Sequence, residues 1–212
     1  MSLLSRLTQK SWETPGIDGL GAPEDYRPPA VTVGLYVYMA VAGVIFALMI
    51  AAYIARMGSH GLMAHMAGTD WRSMPEPPLL WINTAILIAS SLAWEKARRA
   101  ARRLERETAR RMTLIGAALG LVFLAGQLLL WQEYRAAGYY LSANPANAFF
   151  YLLTAVHGLH LAGGLVACGR VFSTARGRAE EARTLRNIGL CAVYWHFLLL
   201  VWLLLVGLLV LT

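Results

Sequence analysis

The stretch "VGLYVYMAVAGVIFALMIAAY", residues 33–53, contains no charged side chain. The hydrocarbon core of a bilayer is about 30 Å thick, and an α-helix crosses it with roughly 20 mostly apolar residues. This stretch is therefore long enough and apolar enough to be a transmembrane helix. We expect the helix to end at Arg56, the first charged residue after it.

Four further segments have the same character. They lie at about 78–94, 112–132, 148–169 and 188–211, and with the first helix at about 33–55 they make five. The apolar runs are continuous rather than alternating, which disfavours a β-barrel. The sequence predicts an all-α protein, a polytopic bundle of five transmembrane helices over 33–212. A polar, Pro- and Gly-rich tail over 1–32 precedes it.

Composition excludes an ordinary soluble domain. The chain is 58% hydrophobic and 15% charged, whereas soluble proteins average about 25% charged residues. The start "MSLLSRLTQK" has no apolar stretch of the length that a cleavable signal peptide needs. We expect residues 1–32 to remain as a tail along the cytoplasmic face.

The net charge of +7 is concentrated in two segments between apolar runs. Residues 95–111 hold eight Lys/Arg and three Glu, and residues 170–186 hold five Arg and two Glu. Loops of this kind remain on the cytoplasmic side of a membrane. Five crossings then place the N-terminus in the cytoplasm and the C-terminus in the periplasm. This distribution favours topology and anionic lipid over nucleic acid, which we do not expect the chain to bind.

Cys168 and Cys191 are the two cysteines of the chain, near the predicted cytoplasmic ends of the last two helices. That compartment is reducing, so a disulfide is not expected there and free structural thiols are.

Three histidines lie within the last two predicted helices. His157 and His160 are three residues apart, so both face one side of a helix, and His196 lies in the final helix. The spacing leaves two interpretations open. One is a metal or haem site, which would need further ligands, and Glu133 is at the wrong end of its helix to supply one. The other is hydrogen bonding between helices, to Gln127, Asn83, Tyr151 or backbone carbonyls.

Other polar residues have simpler interpretations. Asn83, Thr84, Ser90 and Ser91 in the second helix favour hydrogen bonds between helices, and "GAALG" (116–120) favours close helix approach. No nucleotide-binding loop and no nucleophile motif is present. Charge and interfacial position suggest contact with lipid headgroups for a set of five residues. These are Trp81, Arg98, Arg99, Arg102 and Arg103.

Four motifs in order resemble the cytochrome c oxidase subunit III family. They are "PPLLWINTAILIASSLAWEKA" (77–97), "GLVFLAGQLLLWQEY" (120–134), "AFFYLLTA" with "HGLHLAGG" (148–164) and "VYWHFLLLVWLLL" (193–205). Five helices resemble the short bacterial form of this family, which also occurs in quinol oxidases.

The resemblance implies a non-catalytic subunit of a haem–copper terminal oxidase in the bacterial inner membrane. Such a subunit binds no haem or copper itself; these belong to the catalytic subunit I, which reduces oxygen to water and translocates protons. The subunit is expected to stabilise that partner and to hold phospholipid. Its polar residues are then expected to bridge helices. They are Asn83, Gln127, Glu133, His157, His160, Tyr194, Trp195 and His196.

The sequence departs from the family at two positions. The family usually has an acidic residue after a Ser in its first helix, where this chain has Val41 and Ala42. It usually has an Asp two residues after the final-helix Phe, where this chain has Leu199. These departures raise one alternative, a subunit III-like accessory protein of a nitric oxide reductase. The histidines leave another, a histidine-ligated membrane haem protein.

Overall fold

The computed structural model describes residues 29–63, 75–173 and 178–211, all of it helix and connecting turns. Most of the predicted tail over 1–32 lies outside the described residues. The same is true of His65 and of the side chain of His60, the two histidines between the first and second predicted helices. Five helices form the described chain, so the all-α prediction is confirmed. They are α1 (Ala30–Met63), α2 (Pro78–Arg102), α3 (Arg106–Ala136), α4 (Pro145–Ser173) and α5 (Arg178–Leu211).

Four of these helices are long and apolar enough to cross a membrane. The spans are Ala30–Met57, Arg106–Ala136, Pro145–Arg170 and Asn187–Leu211. The chain is therefore a multi-pass membrane protein. Helix α2 falls short of the same hydropathy because it contains several polar residues and a basic C-terminal third.

The ends of the helices differ from the predicted limits of the apolar runs. Helix α2 begins at Pro78, as predicted, where the missing proline N–H has no helical partner to lose. The prediction that Arg56 ends the first helix is wrong, because α1 continues to Met63. An arginine marks the edge of the apolar layer, but it does not interrupt helical hydrogen bonding. All five helices extend past the predicted apolar segments.

A short turn divides the basic segment between α2 and α3. The N–H of Glu105 donates to the carbonyl of Ala100 at 3.0 Å, and that of Leu104 to the carbonyl of Ala101 at 3.1 Å. This pair of bonds is a Schellman cap. Leu104 takes the left-handed conformation that the cap requires, with φ 59°. The turn thus ends α2, and α3 begins at Arg106.

The chain divides into two compact units, Met1–Val37 and Tyr38–Thr212. The described part of the first unit is the opening of α1. The second unit holds the rest of α1 and all of α2–α5, and it contains two buried clusters. One joins Phe46 and Tyr53 of α1 with Leu153 of α4 and Val201 and Leu205 of α5. The other, built from alanines and Ile188, packs α2, α3 and α5 together beside the basic turn.

Candidate functional site

Hydrogen bonds join residues 84–95 of α2 to residues 195–202 of α5; we call these bonds the α2–α5 ladder. The indole N–H of Trp202 donates to the Thr84 hydroxyl at 3.1 Å. The ladder continues with three further bonds toward the basic end of the bundle. They are Trp195 to Ser90 at 2.8 Å, Ser91 to His196 at 2.6 Å and His196 to Glu95 at 3.2 Å.

Ser90 also ties the ladder to a third helix. Its hydroxyl accepts from Trp195 and donates to the backbone carbonyl of Gly116 in α3 at 2.7 Å. Ser90 and Trp195 are both fully buried. A buried donor without a partner costs roughly 1–3 kcal/mol, so this hydroxyl satisfies an indole N–H that would otherwise destabilise the bundle.

Glycines around the ladder make room for aromatic rings. A Cβ atom at Gly116 would lie 2.8 Å from Trp94, and one at Gly120 would lie 2.8 Å from Trp195. In α4, a Cβ atom at Gly164 would lie 2.6 Å from the ring of Tyr194. The interpretation of 116–120 as a motif for close backbone approach is therefore incomplete, because the space at both glycines is occupied by indole rings.

Glu95 is the acidic residue at the basic end of the ladder. Its carboxylate accepts from Arg98 at 2.8 Å and from Arg99 at 2.9 Å, in addition to His196. The hydrogen bond from Arg98 is the main reason that the pKa of Glu95 falls from 4.5 to about 2; burial opposes the shift, and Arg99 and His196 add to it. Glu95 is therefore ionised at neutral pH and anchors the end of α2 to α5.

The geometry assigns the protonation of His196. A carboxylate only accepts hydrogen bonds, so Nε2 of His196 carries the proton that is donated to Glu95. The other ring nitrogen, Nδ1, is hydrogen-bonded to the Ser91 hydroxyl at 2.6 Å. Sequence inspection did not single out Glu95, although its spacing of three and four residues from Arg98 and Arg99 is the usual spacing of helical ion pairs.

His157 is completely buried among aromatic rings from three helices. Its ring centroid lies 5.1 Å from that of Trp202, 5.9 Å from Phe123 and 6.3 Å from Phe46. Within the described residues, neither ring nitrogen has a hydrogen-bond partner. The predicted bonds to Gln127 or Asn83 are not made; His157 packs as an aromatic ring instead.

His160 lies beside α1 and α5. Its Nδ1 is bonded to the Val156 carbonyl of its own helix at 2.7 Å, and not to another helix as predicted. Its own backbone carbonyl accepts from the hydroxyl of Tyr194 in α5 at 2.9 Å. The ring packs against Phe46 and Tyr38 of α1, at 5.3 and 6.0 Å between centroids. Phe46 thus contacts both histidines of α4.

Two amide side chains are buried in the bundle without a described partner. Asn83 and Gln127 are 0% and 3% exposed, and their amide atoms make no hydrogen bond within the described chain. A Cβ atom at Gly126 would collide with the Asn83 amide oxygen, so Asn83 lies directly against α3. Here α2 and α3 are in contact through a glycine.

The C-terminal end of α3 is hydrogen-bonded to α4 and to the segment before α2. Trp131 donates to the Thr154 hydroxyl of α4 at 3.1 Å. Tyr134 donates to the carbonyl of Pro75 at 2.7 Å. Glu133, predicted to be a bridging residue, is exposed; its buried neighbour Tyr134 makes the bond instead.

The predicted headgroup residues lie at the two ends of α2. Trp81 is 50% exposed near the start of the helix. Arg98 lies about 25 Å further along, at 1.5 Å per residue, and together with Arg99 it binds Glu95. Arg102 and Arg103 are exposed at the last turn. Trp81 and the arginines therefore lie at opposite ends of α2.

In the described parts of the chain, no three His, Cys, Asp or Glu side chains lie close enough together to hold a metal ion. Cys168 and Cys191 are free thiols with their sulfur atoms 2.8 Å apart. At the positions where the resemblance leads one to expect acids, Ala42 is buried, Val41 is exposed and Leu199 is partly buried.

The amino-acid sequence is similar to known proteins along most of its length. A sequence model of the cytochrome c oxidase subunit III family matches residues 29–210. The cytochrome c oxidase subunit 3 of Thermostichus vulcanus is 32% identical, over 86% of this chain and 88% of its own. The probable cytochrome c oxidase subunit 3 of Mycobacterium tuberculosis is 30% identical, over 83% and 85%. The cytochrome bo(3) ubiquinol oxidase subunit 3 of Pseudomonas aeruginosa is 26% identical, over 80% and 78%.

Proposed function

The chain belongs to the cytochrome c oxidase subunit III family, and from this premise we propose how it serves its complex. It is a haem–copper oxidase subunit III, and family members of this kind belong to oxidase complexes in membranes. The proposed role is that of a non-catalytic scaffold. The chain packs against the catalytic subunit I, stabilises it during oxygen reduction and proton translocation, and holds phospholipid at their boundary.

The α2–α5 ladder is the observation on which the scaffold role rests. Its polar groups are turned toward one another, and Ser90, Ser91 and Thr84 all have partners within the bundle. A membrane interior without water strengthens the requirement that polar groups be satisfied within the protein. The proposed role of the ladder is therefore to maintain the shape of the bundle, and subunit I supplies the reaction chemistry.

Helix α2 is proposed as the fifth membrane crossing. Its 25 residues span about 37 Å at 1.5 Å per residue. Ile82, Ile88 and Leu92 are exposed, whereas its polar residues are buried. An apolar outer face with a polar inner face suits a helix that lies between lipid and a protein interior.

The proposed orientation follows from charge. The turn between α2 and α3 and the ends of its flanking helices carry the basic segment 95–111, and such segments remain in the cytoplasm. Five crossings then place the N-terminus in the cytoplasm and the C-terminus in the periplasm of a bacterial inner membrane. Arg102 and Arg103 are at the proposed cytoplasmic surface and Trp81 is near the periplasmic one, where each can contact lipid headgroups.

Haem and copper are proposed to belong to the partner subunits. His157 is packed against Phe46, Phe123 and Trp202, which leaves its ring faces against protein. His160 and His196 use ring nitrogens for Val156, Ser91 and Glu95. These contacts are those of structural histidines, so the chain is proposed to bind no metal or haem itself.

The test is affinity purification of the tagged chain from native membranes in mild detergent, with an optical spectrum and protein identification. We expect haem bands to travel with a large catalytic subunit and to remain with that subunit when this chain is stripped away. Co-purification with a nitric oxide reductase would contradict the oxidase assignment. A Soret band on the stripped chain would contradict the scaffold role and make the histidines ligands.

A further inference from the structure

Cys168 of α4 and Cys191 of α5 lie face to face within the bundle. Their Sγ atoms are 2.8 Å apart, and both are free thiols. Cys168 is 4% exposed, and Cys191 is partly exposed. A disulfide requires an S–S distance of about 2.0 Å, with Cα atoms typically within about 7 Å of each other. A shift of less than 1 Å in sulfur position therefore separates the two thiols from a covalent bond.

We propose that Cys168 and Cys191 are a redox modification site, at which a peroxide converts the two thiols to a disulfide between α4 and α5. In the first step, the Cys191 thiolate attacks one oxygen of hydrogen peroxide, the O–O bond breaks, and a sulfenic acid and hydroxide form. In the second step, the Cys168 thiolate attacks the sulfur of that sulfenic acid and expels hydroxide. The two thiol protons join the two hydroxides, so one peroxide is reduced to two waters while two thiols lose two electrons.

The different burial of the two cysteines assigns their roles. Oxidation begins at the thiol that the oxidant reaches, and a nearby second thiol resolves the sulfenic acid. Cys191 is the more exposed thiol and is therefore the one oxidised first. Cys168 is buried with its sulfur 2.8 Å away, so it is the resolving thiol. Because both thiols are near the proposed cytoplasmic end of their helices, the resting state is the dithiol and cellular reductants can restore it.

Neighbouring contacts hold α4 and α5 close together beside the two cysteines. One turn from Cys191, the Tyr194 hydroxyl donates to the carbonyl of His160 at 2.9 Å. A Cβ atom at Gly164 would lie 2.6 Å from the Tyr194 ring, so this glycine allows the close approach. The disulfide would therefore form without separating α4 from α5, and it would fix the end of the helix pair that faces the second basic segment, 170–186.

The experiment uses the intact complex in native membranes. The chain contains only these two cysteines, so the number of alkyl groups on it reports directly on both thiols. Membranes are treated with hydrogen peroxide, denatured, alkylated with iodoacetamide and analysed by intact mass. We expect the doubly alkylated form of the chain to fall by roughly tenfold and to return after dithiothreitol, as a reversible disulfide requires. A species lacking two hydrogen atoms and both alkyl groups should replace it.

Matched variants separate the proposal from a structural contact between thiols. In Cys168→Ala, peroxide should leave a sulfenic acid on Cys191 that a cyclic diketone traps; in Cys191→Ala, little adduct should form. Full alkylation of the treated wild-type chain would overturn the proposal. So would a disulfide found only between two copies of the chain, or a sulfinic acid at Cys191 beside an alkylated Cys168. Because the wild-type measurement needs no substitution, it stands even if a variant fails to assemble.

Discussion

The indole N–H of Trp195 donates to the Ser90 hydroxyl over 2.8 Å at the point where α2, α3 and α5 meet. The same hydroxyl donates to the Gly116 carbonyl, so one oxygen atom joins three helices. Trp195 lies next in sequence to His196, which bonds to Ser91, and adjacent residues of α5 thus use adjacent residues of α2. The two ends of the ladder give the relative direction of the helices, because Thr84 bonds to Trp202 whereas Glu95, further along α2, bonds to His196, which lies earlier in α5. The two helices therefore run antiparallel.

Replacing Ser90 with alanine tests whether this junction stabilises the bundle. The change leaves a buried indole N–H without a partner and removes the bond from α2 to the Gly116 carbonyl, and we expect a loss of about 1–3 kcal/mol in stability. The measurement is the thermal release of this chain from the purified complex. Ser142→Ala makes the same chemical change at an exposed residue and should leave the release temperature unchanged. Equal temperatures for both variants would refute the junction's importance.

Adding a methyl group at Gly120 tests the space occupied by Trp195. The new Cβ would lie 2.8 Å from the indole ring, and overpacking of this kind costs about 1–3 kcal/mol, against a gain of up to about 1 kcal/mol from helix propensity. We therefore expect Gly120→Ala to reduce thermal stability. Gly163→Ala is the control, because no atom lies within 4 Å of its Cβ position. A complex with Gly120→Ala as stable as that control would show that the ring can move.

The apolar runs predicted the helices well because helix formation in a membrane depends mainly on length and hydropathy. Residue spacing alone could not identify the partners of polar side chains. The sequence indicated that Ser90 and Ser91 form hydrogen bonds between helices, but the choice of Trp195 and His196 as partners depends on the rotation of α5. Likewise, the small residues at 116 and 120 indicated close packing without revealing that indole rings fill the space.

Glu95 and His157 illustrate two different limits of the sequence pattern. Glu95 was grouped with the basic segment because it lies at the end of the apolar run, yet the continuation of α2 to Arg102 places it beside His196. His157 was expected to need a hydrogen-bond partner. Its surroundings are Phe46, Phe123 and Trp202, and the aromatic character of imidazole determines its packing there.

Substitutions at His157 distinguish ring packing from ligation. His157→Ala should leave a cavity among three aromatic rings and reduce stability by about 3 kcal/mol. His157→Phe keeps an aromatic ring and adds no polar atom, so it should retain most of the stability. Haem and copper per catalytic subunit, measured on the assembled complex, should be unchanged in both. If His157→Phe lost metal from an intact complex, the histidine would be a ligand.

Glu95→Gln tests the basic end of the ladder and its dependence on pH. The amide keeps the shape of the side chain but weakens the bonds from Arg98, Arg99 and His196, and we expect a loss of about 1–2 kcal/mol at neutral pH.

The folded-state pKa of Glu95, about 2, is below its ordinary value of 4.5. The stabilisation is therefore fully present above about pH 4.5 and is lost as pH falls toward about 2. The difference in release temperature between wild type and variant should be constant from about pH 8 to about pH 5 and should narrow only below that. A difference that disappeared between about pH 7 and pH 6 would contradict the assignment of the effect to the Glu95 carboxylate, which stays ionised over that range.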